Sequence, residues 1–272
     1  MALKKVLITV KTYPTISSKY EELVCTAGVF ENGDWVRIYP IQFRKKPYSE
    51  QYSRYDWIEI DLVENEKDFR PESFRPRTHD TPIEIVGNIG TENNWVKRKE
   101  FVLKNVYTDL SRLIQDAKNP DKNVSLATFK PAKIIDFIWK EEEKREWSTQ
   151  KLNLLRQGNL FEKEDGELRL VKKLPYKFSY VFEDENGRQA TLMNEEWEVG
   201  ALYWNCLKRH NGNETKALED VRKKYFDEFT QKKDLYLFLG TTLQWHLRKA
   251  LNPFVIIGTF YPPLEPQIGL NF

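Results

Sequence analysis

The sequence predicts an α+β protein made of two antiparallel β units, OB-like or PUA-like small barrels, with helices concentrated in the C-terminal half. Three observations predict it. Short β-branched and aromatic runs recur with links too short for parallel crossovers. Asn32-Gly33 and Asn186-Gly187 each stand between two such runs, where a tight hairpin needs positive φ. Apolar residues at helical spacing gather after Asn194.

Val6 to Val10 opens the chain as a strand, and the polar segment around Pro14 interrupts it. Leu23 to Phe30 and Trp35 to Tyr39 flank the first Asn-Gly turn. In the second of these, Trp35, Arg37 and Tyr39 share one face and Val36 and Ile38 the other. Trp57 to Val63 alternates likewise. Arg70 to Arg77 holds two prolines and three arginines, so it reads as an exposed loop. Ile83 to Val86 is a short strand, and a helix over Leu110 to Ala117 is stopped by Asn119-Pro120. A boundary placed there gives domains of residues 1–122 and 123–272.

In the second domain Ile134 to Trp139 is a strand, and the charged run Lys140 to Glu146 is a solvated element. Gln150 to Gln157 predicts a short helix and residues 162–167 a connection. Strands at Tyr176 to Phe182 and Gln189 to Met193 form the second hairpin. Asn194 is placed to cap a helix carrying Trp197, Ala201, Trp204 and Leu207, with Asn211-Gly212 beyond its end. Asn213 precedes another helix, with Leu218, Val221, Tyr225 and Phe229 on one face. Leu235 to Leu239 and Phe254 to Phe260 complete the strands.

Composition narrows the function. The chain has 272 residues, 43 basic against 41 acidic, and a net charge of +2, so any polyanion-binding surface is local. Its 8 Trp, 13 Tyr and 16 Phe exclude a disordered chain. No apolar run approaches the ~20 residues of a membrane span, and the N-terminus lacks a signal-peptide pattern, so a cytoplasmic protein without membrane partners is expected. Cys25 and Cys206 form no disulfide framework, and His79, His210 and His246 have no metal-ligand spacing. Neither a metal nor a cofactor is expected.

Between Trp35 and Trp57 lie seven aromatic residues (Trp35, Tyr39, Phe43, Tyr48, Tyr52, Tyr55, Trp57) and five basic ones (Arg37, Arg44, Lys45, Lys46, Arg54), against two acidic. Rings that stack bases, interleaved with cations that track phosphates, suit single-stranded or locally opened nucleic acid. The candidate contacts are therefore Arg37, Tyr39, Arg44, Lys45, Lys46, Tyr48, Tyr52 and Arg54. Arg70, Arg75 and Arg77 extend the set, since guanidinium groups bind phosphate bidentately. The competing reading has the rings packing a barrel and the lysines solubilising a loop.

Cys25-Thr26-Ala27-Gly28, a hairpin, and then Trp35-Val36-Arg37-Ile38-Tyr39-Pro40 resemble the opening of the dual OB-containing proteins, predicted nucleic-acid-associated modules of prokaryotic defence and mobile-element loci. Their pattern is Cys-x-Ala-Gly, a turn, and Trp-x-Arg-x-x-Pro. The resemblance covers roughly residues 1–65, with Lys11-Thr12-Tyr13-Pro14 standing where that family has a Ser-Arg-Lys stretch. The whole chain, with Arg70-Pro71-Glu72-Ser73 and Leu239-Gly240-Thr241, also resembles an uncharacterised bacterial family. The resemblance implies a small β-barrel that handles nucleic acid, as an accessory protein of a defence or DNA-processing system.

After Pro262-Pro263-Leu264-Glu265-Pro266 the chain ends Gln267-Ile268-Gly269-Leu270-Asn271-Phe272. This resembles the Gln-Leu-x-Leu-x-Phe peptide with which bacterial DNA-processing proteins dock on the sliding clamp, and it makes Gln267, Ile268, Leu270 and Phe272 candidate partner contacts; Gln157 to Phe161 is a poorer echo. The alternative packs this terminus on its own domain. An enzyme acting on nucleic acid or nucleotides is a second functional class, with Thr241, Thr242 and His246 lining a pocket. A non-catalytic subunit of a larger complex is a third. No phosphate-cradling glycine loop or ordered catalytic triad appears.

Overall fold

The computed structural model describes residues 3–17, 21–149, 152–153 and 171–265. The chain is α+β, with two seven-stranded sheets. The first contains β1 (Leu3–Lys11), β2 (Thr15–Ser17), β3 (Glu21–Phe30), β4 (Trp35–Ile41), β5 (Asp56–Glu64), β6 (Ser73–Pro76) and β7 (Ile83–Asn88). Strands run in the order β1-β3-β4-β6-β5, and β5 pairs back onto β1, closing a five-stranded barrel. β2 adds to β3, and β7 to β5.

Period-two alternation explains the barrel wall. Val6 and Ile8 meet Val36, Ile38, Ile58 and Ile60 inside, while Leu7, Val10, Ala27 and Val29 face outward. Gly33 turns the first hairpin at φ +87°, as Asn-Gly predicts. At Gly28 a side chain would run into the Leu7 carbonyl oxygen, so glycine is what lets β1 and β3 lie this close.

The second sheet contains β8 (Val106–Tyr107), β9 (Leu126–Phe129), β10 (Lys133–Glu141), β11 (Tyr176–Glu183), β12 (Gln189–Asn194), β13 (Tyr236–Thr241) and β14 (Phe254–Phe260). It is open, in the order β10-β11-β12-β14-β13-β9-β8. Most ladders are antiparallel, but β4–β6, β12–β14 and β8–β9 pair in parallel over one or two residues each. Helices α1 (Glu92–Val102) and α2 (Leu110–Lys118) join the two halves. Then α3 (Trp197–Arg209) leads to α4 (Glu214–Arg222), which continues through a π-helical stretch (Lys223–Glu228) into α5 (Phe229–Lys232); α6 (Leu243–Leu247) follows β13.

Several elements differ from the expectations. β6 lies inside the segment read as an exposed loop: Ser73 and Phe74 pair with Arg37 and Ile38 of β4, and Pro76 with Leu62 of β5. Proline is admitted there because β6 needs few ladder donors. α1 had no periodic signal, and its first turn is left-handed at Asn93, Asn94 and Trp95. Asn194 ends β12 and accepts from the Glu196 N–H at 3.0 Å, so it tethers the start of α3 without being its cap residue. Asn213 caps α4 as expected, accepting from the Lys216 N–H at 3.1 Å. The buried stripe of α3 runs through Val199, Tyr203 and Cys206, about one position from the predicted one.

The two sheets share a core. Leu7, Val10, Val29 and Tyr55 on the barrel's outer wall pack with Leu126, Phe238, Ile257 and Phe260 of the second sheet. Trp35 meets Phe238 edge-on at 5.3 Å. α2 buries Leu110, Leu113 and Ile114 with the second sheet's own core, on the side of the chain that follows Val106.

Candidate nucleic-acid interface

The expected surface from Trp35 to Trp57 divides in two, and most of it is interior. Of its seven rings only Tyr39, at 38% exposure, and Tyr48, at 92%, count as exposed. Tyr52 is fully buried, sharing a 2.6 Å hydrogen bond with the Thr26 hydroxyl. Phe43 packs between Tyr52 and Trp197, Tyr55 lies in the shared core, and Trp57 meets Phe101 at 5.1 Å. The physical reasons differ by ring: Phe43 and Tyr52 belong to the barrel's interior cluster, Trp57 is covered by α1, and Trp35 and Tyr55 lie on the outer wall that the second sheet covers.

The cations divide likewise, and three of them must be withdrawn from the surface. Arg37 is 4% exposed; it donates to the Ser73 hydroxyl (3.2 Å), the Ser125 hydroxyl (2.9 Å) and the Ser125 carbonyl (3.1 Å). Burial, and then the charge of Arg70, lower its pKa. Arg54 is committed to Glu196 at 2.5 Å and to the Thr259 carbonyl. Arg70 is buried, donating to both Asp68 oxygens and to the Thr241 carbonyl at 2.5 Å. A buried charge survives only with such partners. Of the rest, Arg44 pairs with Glu22 at 2.7 Å, Lys45 is exposed, and Lys46 reaches the Thr81 carbonyl at 2.7 Å and Glu50 at 3.4 Å.

The predicted pocket of Thr241, Thr242 and His246 is also packed. Thr242 caps α6, accepting from the Trp245 N–H at 3.3 Å. His246 is buried; its Nε2 donates to Asn123 Oδ1 at 2.7 Å and its Nδ1 lies 3.0 Å from the Thr241 hydroxyl. Both ring nitrogens therefore have partners, and burial followed by the Arg70 charge lowers the pKa of the imidazole. Arg37, Ser73, Asp68, Arg70, Thr241, His246 and Asn123 thus form one hydrogen-bonded chain across the junction of the two sheets.

One open concavity does gather expected residues. A cleft of about 630 Å³ at the β4–β6 side of the barrel is lined by Tyr39, Lys46, Arg75 and Arg77, with the buried Arg70 at its floor. Ile41, Ile83 and Leu243 give it apolar wall. Sequence reasoning missed Lys67, a cation on the Asn65–Asp68 turn; no pattern distinguishes it from other surface lysines. Five cations line the cleft against two carboxylates, Glu66 and Asp68. Arg77 is held by Asp61 at 2.7 and 3.2 Å. Among the described residues, Arg75 donates to the Pro76 and Arg77 carbonyls, at 3.3 and 3.1 Å. Neither Arg75 nor Lys67 has a carboxylate partner among the described residues.

No group of histidine, cysteine, aspartate and glutamate among the described residues is arranged to hold a metal ion. No described helix is long and apolar enough to cross a membrane. Gln267, Ile268, Leu270 and Phe272 lie outside the described residues, as do residues 157–161.

A chain with a closed barrel, an abutting open sheet and this cationic cleft belongs, by its sequence, to the family described as domain of unknown function DUF8757, whose model matches residues 106–271. The model of a second family, domain of unknown function DUF8758, matches residues 2–104. The two matches meet at the passage from α1 to β8. No curated protein matches the chain. A solved structure described as a murine DNA-binding protein bound with double-stranded DNA aligns over 98% of this chain and 99% of that one, at 12% identity and a TM-score of 0.33. Likeness at that level carries no argument.

Proposed function

We propose that the protein binds nucleic acid, with the phosphate backbone held in the cleft between β4, β6 and the turn at Asn65–Asp68. The observation that carries this reading is the excess of cations there, and in particular Arg75 and Lys67, which form no ion pair with a carboxylate among the described residues. Uncompensated cations in a concave site attract a polyanion and release its counterions on binding. Tyr39, half open at the cleft's edge, offers a face for stacking a base. Arg77, fixed by Asp61, supports the wall and is a secondary contact. The clamp-docking role of Gln267, Ile268, Leu270 and Phe272 stands on the sequence pattern alone.

The test is binding of a fluorescein-labelled oligonucleotide, followed by anisotropy across a salt series. Replacing Lys67 and Arg75 together with alanine should flatten the slope of log affinity against log salt by about two, roughly one per phosphate contact. Tyr39→Ala should weaken binding at every salt concentration without changing the slope. Intact protein that binds no oligonucleotide, or a double variant with the parent's slope, removes the cleft as the site.

A further inference from the structure

Beside the cleft stands an apolar feature that remains largely exposed among the described residues. After Leu243, which lines the cleft, the short helix α6 and the loop beyond it expose Trp245 (48%), Leu247 (61%) and Leu251 (91%). Phe69, 51% exposed, adds to this surface from the cleft-side loop and packs on His246 at 5.4 Å. Four large apolar side chains in one neighbourhood are costly to leave in water and mark an interaction surface.

Charge identifies the occupant. From Thr242 to Asn252 the chain has no acidic residue, and Arg248 and Lys249 are exposed between the apolar side chains. Arg248 stays near the Trp245 ring, 5.9 Å from its centroid. A segment that is apolar and cationic, with no acidic residue of its own, fits a partner that is polyanionic outside and apolar within. Stacked bases behind phosphates have this character. The feature is also held rigidly to the cleft: His246 on α6, Thr241 at the end of β13, and Arg70 on the cleft floor are hydrogen-bonded in sequence.

We propose that Trp245, Leu247 and Leu251 make the base contacts of the nucleic acid whose backbone lies in the cleft, Trp245 by stacking and the leucines as a wedge against an unstacked step. This rests on the cleft reading and adds the part of the ligand that the cleft does not hold. Phosphates would lie against Lys67 and Arg75, with bases turned toward α6.

The experiment uses the full chain and a labelled single-stranded oligonucleotide, in parallel with the same strand carrying abasic positions. Trp245→Ala should weaken binding to the intact strand by roughly 5- to 150-fold, the range for loss of one base–aromatic stack, with the salt slope unchanged. Trp245→Phe should keep most of the affinity. Abasic substitution should weaken the parent protein but have little further effect on Trp245→Ala. Leu247→Ser with Leu251→Ser, on exposed sites that leave folding intact, should lower the fluorescence of a 2-aminopurine placed in the bound strand. Parent affinity in both the Trp245→Ala and the Leu247→Ser/Leu251→Ser proteins, with the cleft variants still weakened, overturns this inference and leaves the cleft reading standing. Binding of the parent chain to phosphatidylserine vesicles, lost in these same variants while oligonucleotide binding is kept, overturns it in favour of a lipid surface. An intact chain that binds no oligonucleotide overturns both readings.

Discussion

Replacing Arg70 with alanine separates the two roles this residue can have. Its side chain and that of Asp68 are each only 6% exposed. Removing the guanidinium leaves the Asp68 carboxylate with the Ser73 hydroxyl at 2.9 Å and a long contact to the residue 70 N–H at 3.3 Å. It also strips a donor from the Thr241 carbonyl. Breaking a buried pair from one side costs about 3–5 kcal/mol, because the remaining charge keeps its desolvation penalty. With an unfolding entropy of about 2.1 cal/mol/K per residue, over 272 residues, Tm should fall by about 5–9 °C in a circular-dichroism melt at pH 7. The double replacement Asp68→Asn with Arg70→Met, which removes both charges, should recover a large part of that loss.

The pH dependence has a definite sign. Burial pushes the Asp68 carboxyl up, but hydrogen bonds and charge from Arg70, with the Ser73 hydroxyl, hold it below its ordinary 3.8. A depressed folded-state carboxyl contributes stability above its unfolded pKa and loses it as the pH falls through the folded value. The gap between parent and Arg70→Ala should therefore narrow below about pH 4. A surface phosphate contact behaves otherwise: Tm stays put and only the salt slope of nucleic-acid binding changes. A Tm within about 1 °C of the parent would refute the buried-pair argument, since it corresponds to well under 1 kcal/mol.

Two further outcomes follow from the packing. Burial, and then the Arg70 charge, lower the His246 pKa in the folded protein below its ordinary 6.5, so the unfolded chain binds the proton more readily and stability should fall as the pH drops beneath that value; urea midpoints at pH 7.5 and 5.5 should differ by less in His246→Gln than in the parent. Phe238, with no exposed surface and rings of Trp35 and Phe260 at 5.3 and 6.1 Å, should cost about 3–5 kcal/mol when cut to alanine. Because its cluster joins both sheets, calorimetry should show one transition moving as a whole; two separated transitions would mean that the sheets unfold independently.

Much of the fold was legible locally. Asn32-Gly33 and Asn186-Gly187 marked their hairpins because positive φ is a property of the turn itself, and Gly33 and Gly187 adopt it. Leu218, Val221, Tyr225 and Phe229 marked a helix face, and all four are buried. β6 was not legible, since two prolines argue against a strand until two neighbouring strands supply a place for it. The left-handed opening of α1 has no residue pattern that announces it. At the cleft, the sequence candidates Tyr39, Arg75 and Arg77 come together in the lining, while Lys67 and Trp245 stand in no pattern the sequence offered, because exposure leaves no periodic trace.

By itself the sequence determined which side chains share a face: Trp35, Arg37 and Tyr39 on one side of β4, Val36 and Ile38 on the other. That follows from strand geometry, which depends only on neighbouring residues. Only the tertiary structure decided what lies against the first of those faces. Trp35 and Arg37 meet Phe238 and Ser125 from strands and turns more than eighty residues away, while Tyr39, two positions on, passes the rim of that contact and opens into the cleft. Pairing over such distances is set by the docking of whole sheets, and alternation within one strand carries no information about it.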